Sequence, residues 1–155
     1  MKNFVIGLII ILFTLIADQI TKLMIVKHFA GNFASIKVTD FFNLDLVYNK
    51  GISFGLFNQF DYSNYLFCSL SILITLFLFK WLKNAKNIGE TISLGLIIGG
   101  AIGNVIDRFI YPGVVDFLQF HWREYYWPSF NIADSTICIG VCLLIIFSVD
   151  SKSTT

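Results

Sequence analysis

Charge is scarce in this 155-residue chain, where Asp, Glu, Lys and Arg together make up only 14%. Ordinary soluble domains carry roughly a quarter. Eleven Lys and Arg stand against ten Asp and Glu, a net charge of +1, so the basic field that nucleic-acid binding requires is missing. Proline and histidine each occur twice, which excludes proline-rich linkers and histidine-rich metal tracts. Cys68, Cys138 and Cys142 all lie in apolar runs without a Cys-x-x-Cys or Cys/His cluster. Neither a disulfide framework nor a zinc site is supported, and the thiols are expected to pack as small hydrophobes. What is abundant is apolar surface. Hydrophobic residues reach 56%, Phe alone numbers 17, and mean hydropathy is +0.75. A single domain of this length has no core large enough to hide so much from water, so residues 1–155 read as one integral-membrane domain.

A bilayer core demands about 20 mainly apolar residues per helix, and four segments approach that length: 4–24, 63–82, 89–109 and 131–149. Each must be helical, because lipid offers no partner to unpaired backbone groups. Lys2 and the stretch Phe4–Ala17 resemble a secretory signal, but no small-residue cleavage site follows, so this stretch is read as a retained first span. Lys80, Lys83 and Lys86 crowd the connection between spans two and three, and Lys2 and Lys152 flank the ends. By the positive-inside rule both termini are expected to be cytoplasmic. The outer segments are then 25–62 and 110–130. Leu44–Tyr48 partly alternates and Val114–Phe120 is rich in β-branched and aromatic residues, so both are expected to be strands of a small sheet on the membrane surface. Trp122, Tyr125, Tyr126 and Trp127 cluster just before span four, as interfacial aromatics do. The tail 151–155 is expected to be disordered.

Ionisable groups at membrane depth are costly and mark function by default. Asp18 and Lys22 lie near the outer end of span one. Asn104, Asp107 and Arg108 end span three, Asp116 follows a Pro-Gly turn, and Asn131 and Asp134 open span four. All fall at one membrane face. Plainer explanations exist for several. Asp18–Lys22 has the spacing of a helical ion pair with Lys22 snorkelling outward, Asn131 with Asp134 has the form of a helix cap, and Arg108 could serve as an interfacial anchor. Gly99 and Gly103 form a Gly-xxx-Gly pair suited to close helix packing. Asp116, between apolar residues of a strand, is poorly explained by packing. His28, His121, Ser53, Ser129 and Ser135 lack the context of a nucleophilic triad. Paired carboxylates remain: two close Asp groups share one proton, and one activates water while the other protonates the scissile carbonyl. Asp116 and Asp134 can meet if the 110–130 segment folds back over span four. Rival readings are a small four-span carrier, which would place an acid near mid-membrane, and an assembly subunit.

Five blocks occur in order: Asp18-Gln19-Ile20-Thr21-Lys22, Asn49-Lys50-Gly51-Ile52-Ser53-Phe54, Gly99 to Arg108, Gly113-Val114-Val115-Asp116-Phe117, and Phe130-Asn131-Ile132-Ala133-Asp134-Ser135. With them the chain resembles the lipoprotein signal peptidases, bacterial signal peptidase II. The resemblance implies an all-α membrane protein: four transmembrane helices with a small extramembrane β-cradle and a short amphipathic helix. It further implies an aspartyl endopeptidase of the bacterial inner membrane, with its site at the periplasmic face. Such enzymes remove the signal peptide from diacylglyceryl-modified prolipoproteins, cutting before the lipidated cysteine, and globomycin-type inhibitors block them. By motif position the catalytic pair is Asp116 and Asp134. Asn104, Arg108 and Asn131 match positions that orient the pair and contact substrate backbone. Asn49, Gly51, Asp18, Lys22 and Asp107 match supporting positions. No metal or other cofactor is implied, and a monomer is expected. The Phe-rich outer segments, Phe54 and Phe57 among them, are expected to meet the acyl chains.

Overall fold

The computed structural model describes residues 1–31, 35–51 and 63–153. Four helices occur among them: α1 (Lys2–His28), α2 (Ser63–Lys83), α3 (Ile88–Ile110) and α4 (Ile132–Ser153). All four coincide with the expected spans to within a turn or so. Three are long and apolar enough to cross a membrane, whereas the apolar stretch of α4, Ile132–Phe147, is shorter. Helix α4 continues to Ser153, so the tail expected to be disordered from residue 151 is still helical for three residues. No helix beyond these four occurs among the described residues. Phe54 and Phe57 lie outside them.

Helix α3 is the axis of the bundle. It is 61% buried over its apolar window, against 22% for α1 and for α2. Its start is fixed by Asn87, whose Oδ1 accepts from the backbone N–H of Glu90 at 2.8 Å, while Glu90 adds negative charge in the first turn. Ile11, Leu78, Leu82, Leu94, Ile97 and Ile98 form the apolar core where α1, α2 and α3 meet. Elsewhere α1 and α2 leave large apolar side chains such as Phe13, Leu73 and Phe77 exposed, as a lipid-facing surface requires. Cys68 is buried, but Cys138 and Cys142 are exposed on α4, so only one of the three thiols packs inside the protein.

Glycines let the helices approach. A Cβ on Gly99 would stand 2.8 Å from Thr14 Cβ, and one on Gly103 would strike the Asp18 carboxylate. The Gly-xxx-Gly pair thus faces α1. Gly100 serves the opposite seam, where a Cβ would lie 2.5 Å from the Ala133 carbonyl oxygen on α4.

Four antiparallel strands form one sheet in the order β1 (Ile36–Lys37), β2 (Phe42–Asn49), β3 (Val114–Trp122) and β4 (Tyr125–Tyr126). Both expected strands are present, each slightly longer than the alternating pattern alone marks. The β2–β3 register opposes Val47 to Asp116 and Asn49 to Val114, with an irregularity between Leu44 and Val47. Gly113 allows this pairing to begin close to α3, because a Cβ there would sit 2.6 Å from the Asn49 carbonyl oxygen. After β4 the chain returns alongside β3. Phe117 and Leu118 N–H groups donate to the Phe130 carbonyl, and Phe130 N–H donates to the Leu118 carbonyl. That return carries the start of α4 beside Asp116.

A Gly100→Ala substitution is expected to force α3 and α4 apart and destabilise the bundle by about 1–3 kcal/mol, the usual cost of overpacking. A lowered thermal midpoint in detergent would register it; an unchanged midpoint would show that this seam is not closely packed.

Candidate active site

The site is built from three helices, the end of β2 and the start of β3. Asp116 is 2% exposed. It lies in the part of β3, Val114–Phe117, that is buried throughout. Because Asn49 is diagonal to it across the β2–β3 ladder, Asn49 Nδ2 donates to Asp116 Oδ2 at 3.0 Å. Asn131 Nδ2 donates to Asp116 Oδ1 at 2.7 Å. Asn131 also performs the capping role, its Oδ1 accepting from the Asp134 N–H at 2.8 Å. The helix cap and the contact with Asp116 coincide in one side chain, which links the backbone of one carboxylate residue to the carboxylate of the other.

Asp134, half-buried in the first turn of α4, receives Asn104 Nδ2 at 2.8 Å on its Oδ1. Asp116 and Asp134 line one cavity of about 150 Å³, together with Asn49, Gly51, Asn104, Arg108, Val114 and Ser129. Arg108 is half-buried rather than a plain surface anchor. Its guanidinium donates to the carbonyls of Asn104 and Gly51, each at 3.2 Å.

Beneath this cavity lies a second polar layer. Lys22 does not snorkel outward: it is 1% exposed, and its Nζ lies 2.8 Å from both Asp18 Oδ2 and Asp107 Oδ2. It also donates to Asn104 Oδ1 at 2.9 Å. A snorkelling lysine needs a polar exit, and here the nearer polar partners are inside the protein. Asp18 Oδ1 accepts from Ala133 N–H at 2.9 Å, and Asp107 Oδ2 accepts from Val115 N–H at 3.0 Å. Gln19 Nε2 reaches Asp107 Oδ1 at 3.1 Å and Asp18 Oδ2 at 3.2 Å.

All the expected site residues therefore converge, in two tiers: Asn49, Gly51, Asn104, Arg108, Asp116 and Asp134 at the cavity with Asn131 between the carboxylates, and Asp18, Lys22 and Asp107 below. Two participants escape sequence reasoning. Gln19 gave no signal beyond its place between Asp18 and Lys22, and Ser129 lines the cavity without any nucleophile motif around it.

Burial, and next to it the negative charge of Asp134, raises the Asp116 carboxyl to about 7, despite the opposing hydrogen bonds from Asn49 and Asn131. A carboxyl in this state is protonated at mildly acidic pH and ionised at mildly alkaline pH, the range in which a shared proton is available.

The signal peptidase (SPase) II family matches residues 10–150. The lipoprotein signal peptidase of Ralstonia nicotianae is 46% identical over 136 residues, covering 85% of this chain and 77% of its own length. That of Burkholderia thailandensis is 46% identical over 142 residues, covering 90% and 82%. Among solved structures, a bacterial membrane enzyme determined by the in meso method at 2.3 Å superposes with a TM-score of 0.79 at 31% identity, covering 96% of this chain and 90% of that one. A second, at 1.9 Å, gives 0.74 at 33% identity, covering 90% of each.

The raised Asp116 has a consequence for stability. Between the ordinary aspartate value of about 3.9 and about 7 the native state binds more protons than the unfolded state. Stability from this group therefore falls as pH rises through that window and levels off above it. Asp116→Asn removes the contribution, so the variant should gain on wild type in thermal midpoint from pH 5 to pH 8. A constant difference across that range would show that Asp116 titrates normally.

A buried carboxylate from the sheet, a half-buried one from the first turn of α4 and one cavity that both line thus occur in a chain that, over 141 of its 155 residues, belongs to the signal peptidase II family.

Proposed function

We propose that this chain is an aspartyl endopeptidase that removes signal peptides from diacylglyceryl-modified prolipoproteins, cutting before the lipid-bearing cysteine. Membership of the signal peptidase II family supports the protease and its lipoprotein substrates. The observation that carries the aspartyl mechanism is that Asp116 and Asp134, from different elements, line a single cavity with Asn131 linking them.

In this mechanism the pair holds one proton. The ionised carboxylate takes a proton from a water in the cavity as that water attacks the scissile carbonyl, and the protonated partner gives its proton to the carbonyl oxygen. Collapse of the resulting diol returns a proton to the leaving amine, breaks the C–N bond and leaves the pair singly protonated. Asn49, Asn104 and Asn131 donate to the carboxylates and hold them in place. Arg108, anchored on the Gly51 carbonyl, is the cation available to the substrate backbone.

We further place the protein in the bacterial inner membrane with four crossings, both termini cytoplasmic and the cavity at the outer face. At about 1.5 Å per residue, the 22 residues of α4 are long enough for a hydrocarbon core of about 30 Å. The lysines at 80, 83 and 86 give the α2–α3 connection its cytoplasmic character. Trp122, Tyr125, Tyr126 and Trp127 are 58–82% exposed, which suits the headgroup layer. A substrate whose signal helix and acyl chains stay in lipid reaches a site at this depth laterally.

Cleavage of a diacylglyceryl-modified prolipoprotein by purified protein in detergent with EDTA tests the reading. Asp116→Asn and Asp134→Asn should each lower kcat by about 10³-fold or more, at or above the middle of the range for loss of general acid–base catalysis. Wild type should stay active. Substantial activity in either Asn variant would overturn the dyad, and loss of wild-type activity with EDTA would point to a metal.

A further inference from the structure

Asn104 and Asn131 each have two amide orientations of nearly the same shape, and only one of each serves the carboxyl pair. For Asn131 the helix cap selects it; for Asn104 the selecting group lies outside the cavity. Lysine Nζ can only donate, so the Asn104 atom 2.9 Å from it must be the oxygen. The Asn104 nitrogen is then directed at Asp134 Oδ1, 2.8 Å away. Flipped, the amide would set a donor against the ammonium and an acceptor against the carboxylate. The same Asn104 oxygen accepts from Asn131 Nδ2 at 3.2 Å, the nitrogen that donates to Asp116. The ammonium therefore orients the Asn104 amide toward Asp134, and Asn131, whose own oxygen is held by the Asp134 N–H, is tied to the same Asn104 oxygen and to Asp116.

Resting on the aspartyl reading above, we propose that Lys22 is a positioning residue of the peptidase: by donating to Asn104 Oδ1 it fixes the amide relay that distributes the proton within the Asp116–Asp134 pair. Lys22 is suited to this because nothing about it is free to move. It is 1% exposed and clamped between Asp18 and Asp107, both fully buried. Among the described residues, the charged and titratable groups facing this assembly are Asp18 on α1, Cys68 on α2, Asp107 and Arg108 on α3, Tyr111 just beyond α3, Asp116 on β3 and Asp134 on α4. Lys22 and Arg108 are the two cations among them, and of these only Lys22 donates to a side chain that itself donates to the pair. Loss of its charge and its hydrogen bond would leave the pair holding protons to higher pH.

The test compares Lys22→Met and Lys22→Gln, both in an Asp18→Asn background. Losing the 18 carboxylate together with the 22 ammonium keeps the charge of the Asp18–Lys22–Asp107 cluster unchanged, which favours folding. Cleavage of the lipidated prolipoprotein is followed as kcat, KM and the pH profile of kcat/KM, with Asp18→Asn alone as reference. Lys22→Met should lower kcat by about 10–100-fold, leave KM within about twofold and move the profile to higher pH by about one unit. Lys22→Gln, which still carries an N–H donor, should recover about fivefold or more of the lost rate by restoring the amide orientation. With Asn104→Ala added, either Lys22 substitution should change kcat by less than about twofold, since additivity fails for residues acting through one another.

A pH profile superimposable on the reference would overturn the proposal. So would Met and Gln variants of equal rate, or effects of Lys22 and Asn104 that multiply. If Lys22→Met fails to fold, the Lys22→Gln and Asn104→Ala cycle still decides. Activity surviving in Asp116→Asn or Asp134→Asn would instead defeat the aspartyl reading itself, an outcome distinct from unmoved pH profiles in the Lys22 variants.

Discussion

A single ammonium group, withdrawn from water where three helices converge, is the constraint around which the rest of this site is arranged. A charge so placed is tolerated only when it is paired and its hydrogen bonds are satisfied. Lys22 meets that condition with Asp18 on its own helix, Asp107 on α3 and the Asn104 amide. The pairing spreads outward, because each carboxylate also accepts a backbone N–H from the next element: Asp18 from Ala133 on α4, Asp107 from Val115 on β3. One cation thus ties three helices and the sheet to a common origin. Removing it alone would strand two buried carboxylates, a change that typically costs about 3–5 kcal/mol.

The clamp works only because the helices are close. Asp18 is a short side chain, and it reaches both Lys22 and the Ala133 N–H only where α3 presents Gly103 instead of a bulkier residue. Gly99 against Thr14 and Gly100 against Ala133 extend the same closeness along both seams of α3. In lipid, where apolar association between helices has little driving force, small residues and buried polar pairs are the available forces. Here they occupy the same turns of the same helices. The glycine seam and the charge cluster are therefore one device: the first sets the spacing and the second fills it.

The sequence makes some of this legible and conceals the rest for physical reasons. Spans are legible because hydrocarbon solvent imposes length and polarity on every crossing, and α1 to α3 follow the hydropathy closely. Strands β2 and β3 show in their alternation and β-branching, but the return of Phe130 along Leu118 is a tertiary event with no local pattern. That return is what makes Asp116 and Asp134 neighbours, so spacing could permit the pair and not establish it. The Asp18–Lys22 spacing is ambiguous in the same way. An i,i+4 ion pair reads alike whether its lysine points out to the headgroups or in to a partner 85 residues later at Asp107. Gln19 is silent because a lone glutamine within a helix, between two charged residues, needs no special explanation. The resemblance of five short blocks to a family marked these residues; it did not say which faced which.

The carboxyl pair is asymmetric in its supports, and that asymmetry has a consequence. Asp116 is carried by a strand and held on both oxygens by asparagine amides. Asp134 is carried by a helix N-terminus, where its negative charge is favoured, and among the described residues has a single side-chain donor. Strand and helix belong to different packing units, the sheet and the bundle, and they are joined at this point chiefly by Asn131 and by the Val115–Asp107 contact. Relative movement of sheet and bundle would therefore change the distance between the two carboxyls. Two like charges that line one cavity of about 150 Å³ repel when both ionise, and the charge of Asp134 already raises the Asp116 carboxyl. On the proposed aspartyl reading, a proton that relieves this repulsion also favours the approach of sheet to bundle at this point. Protonation state and geometry at this site are not independent variables.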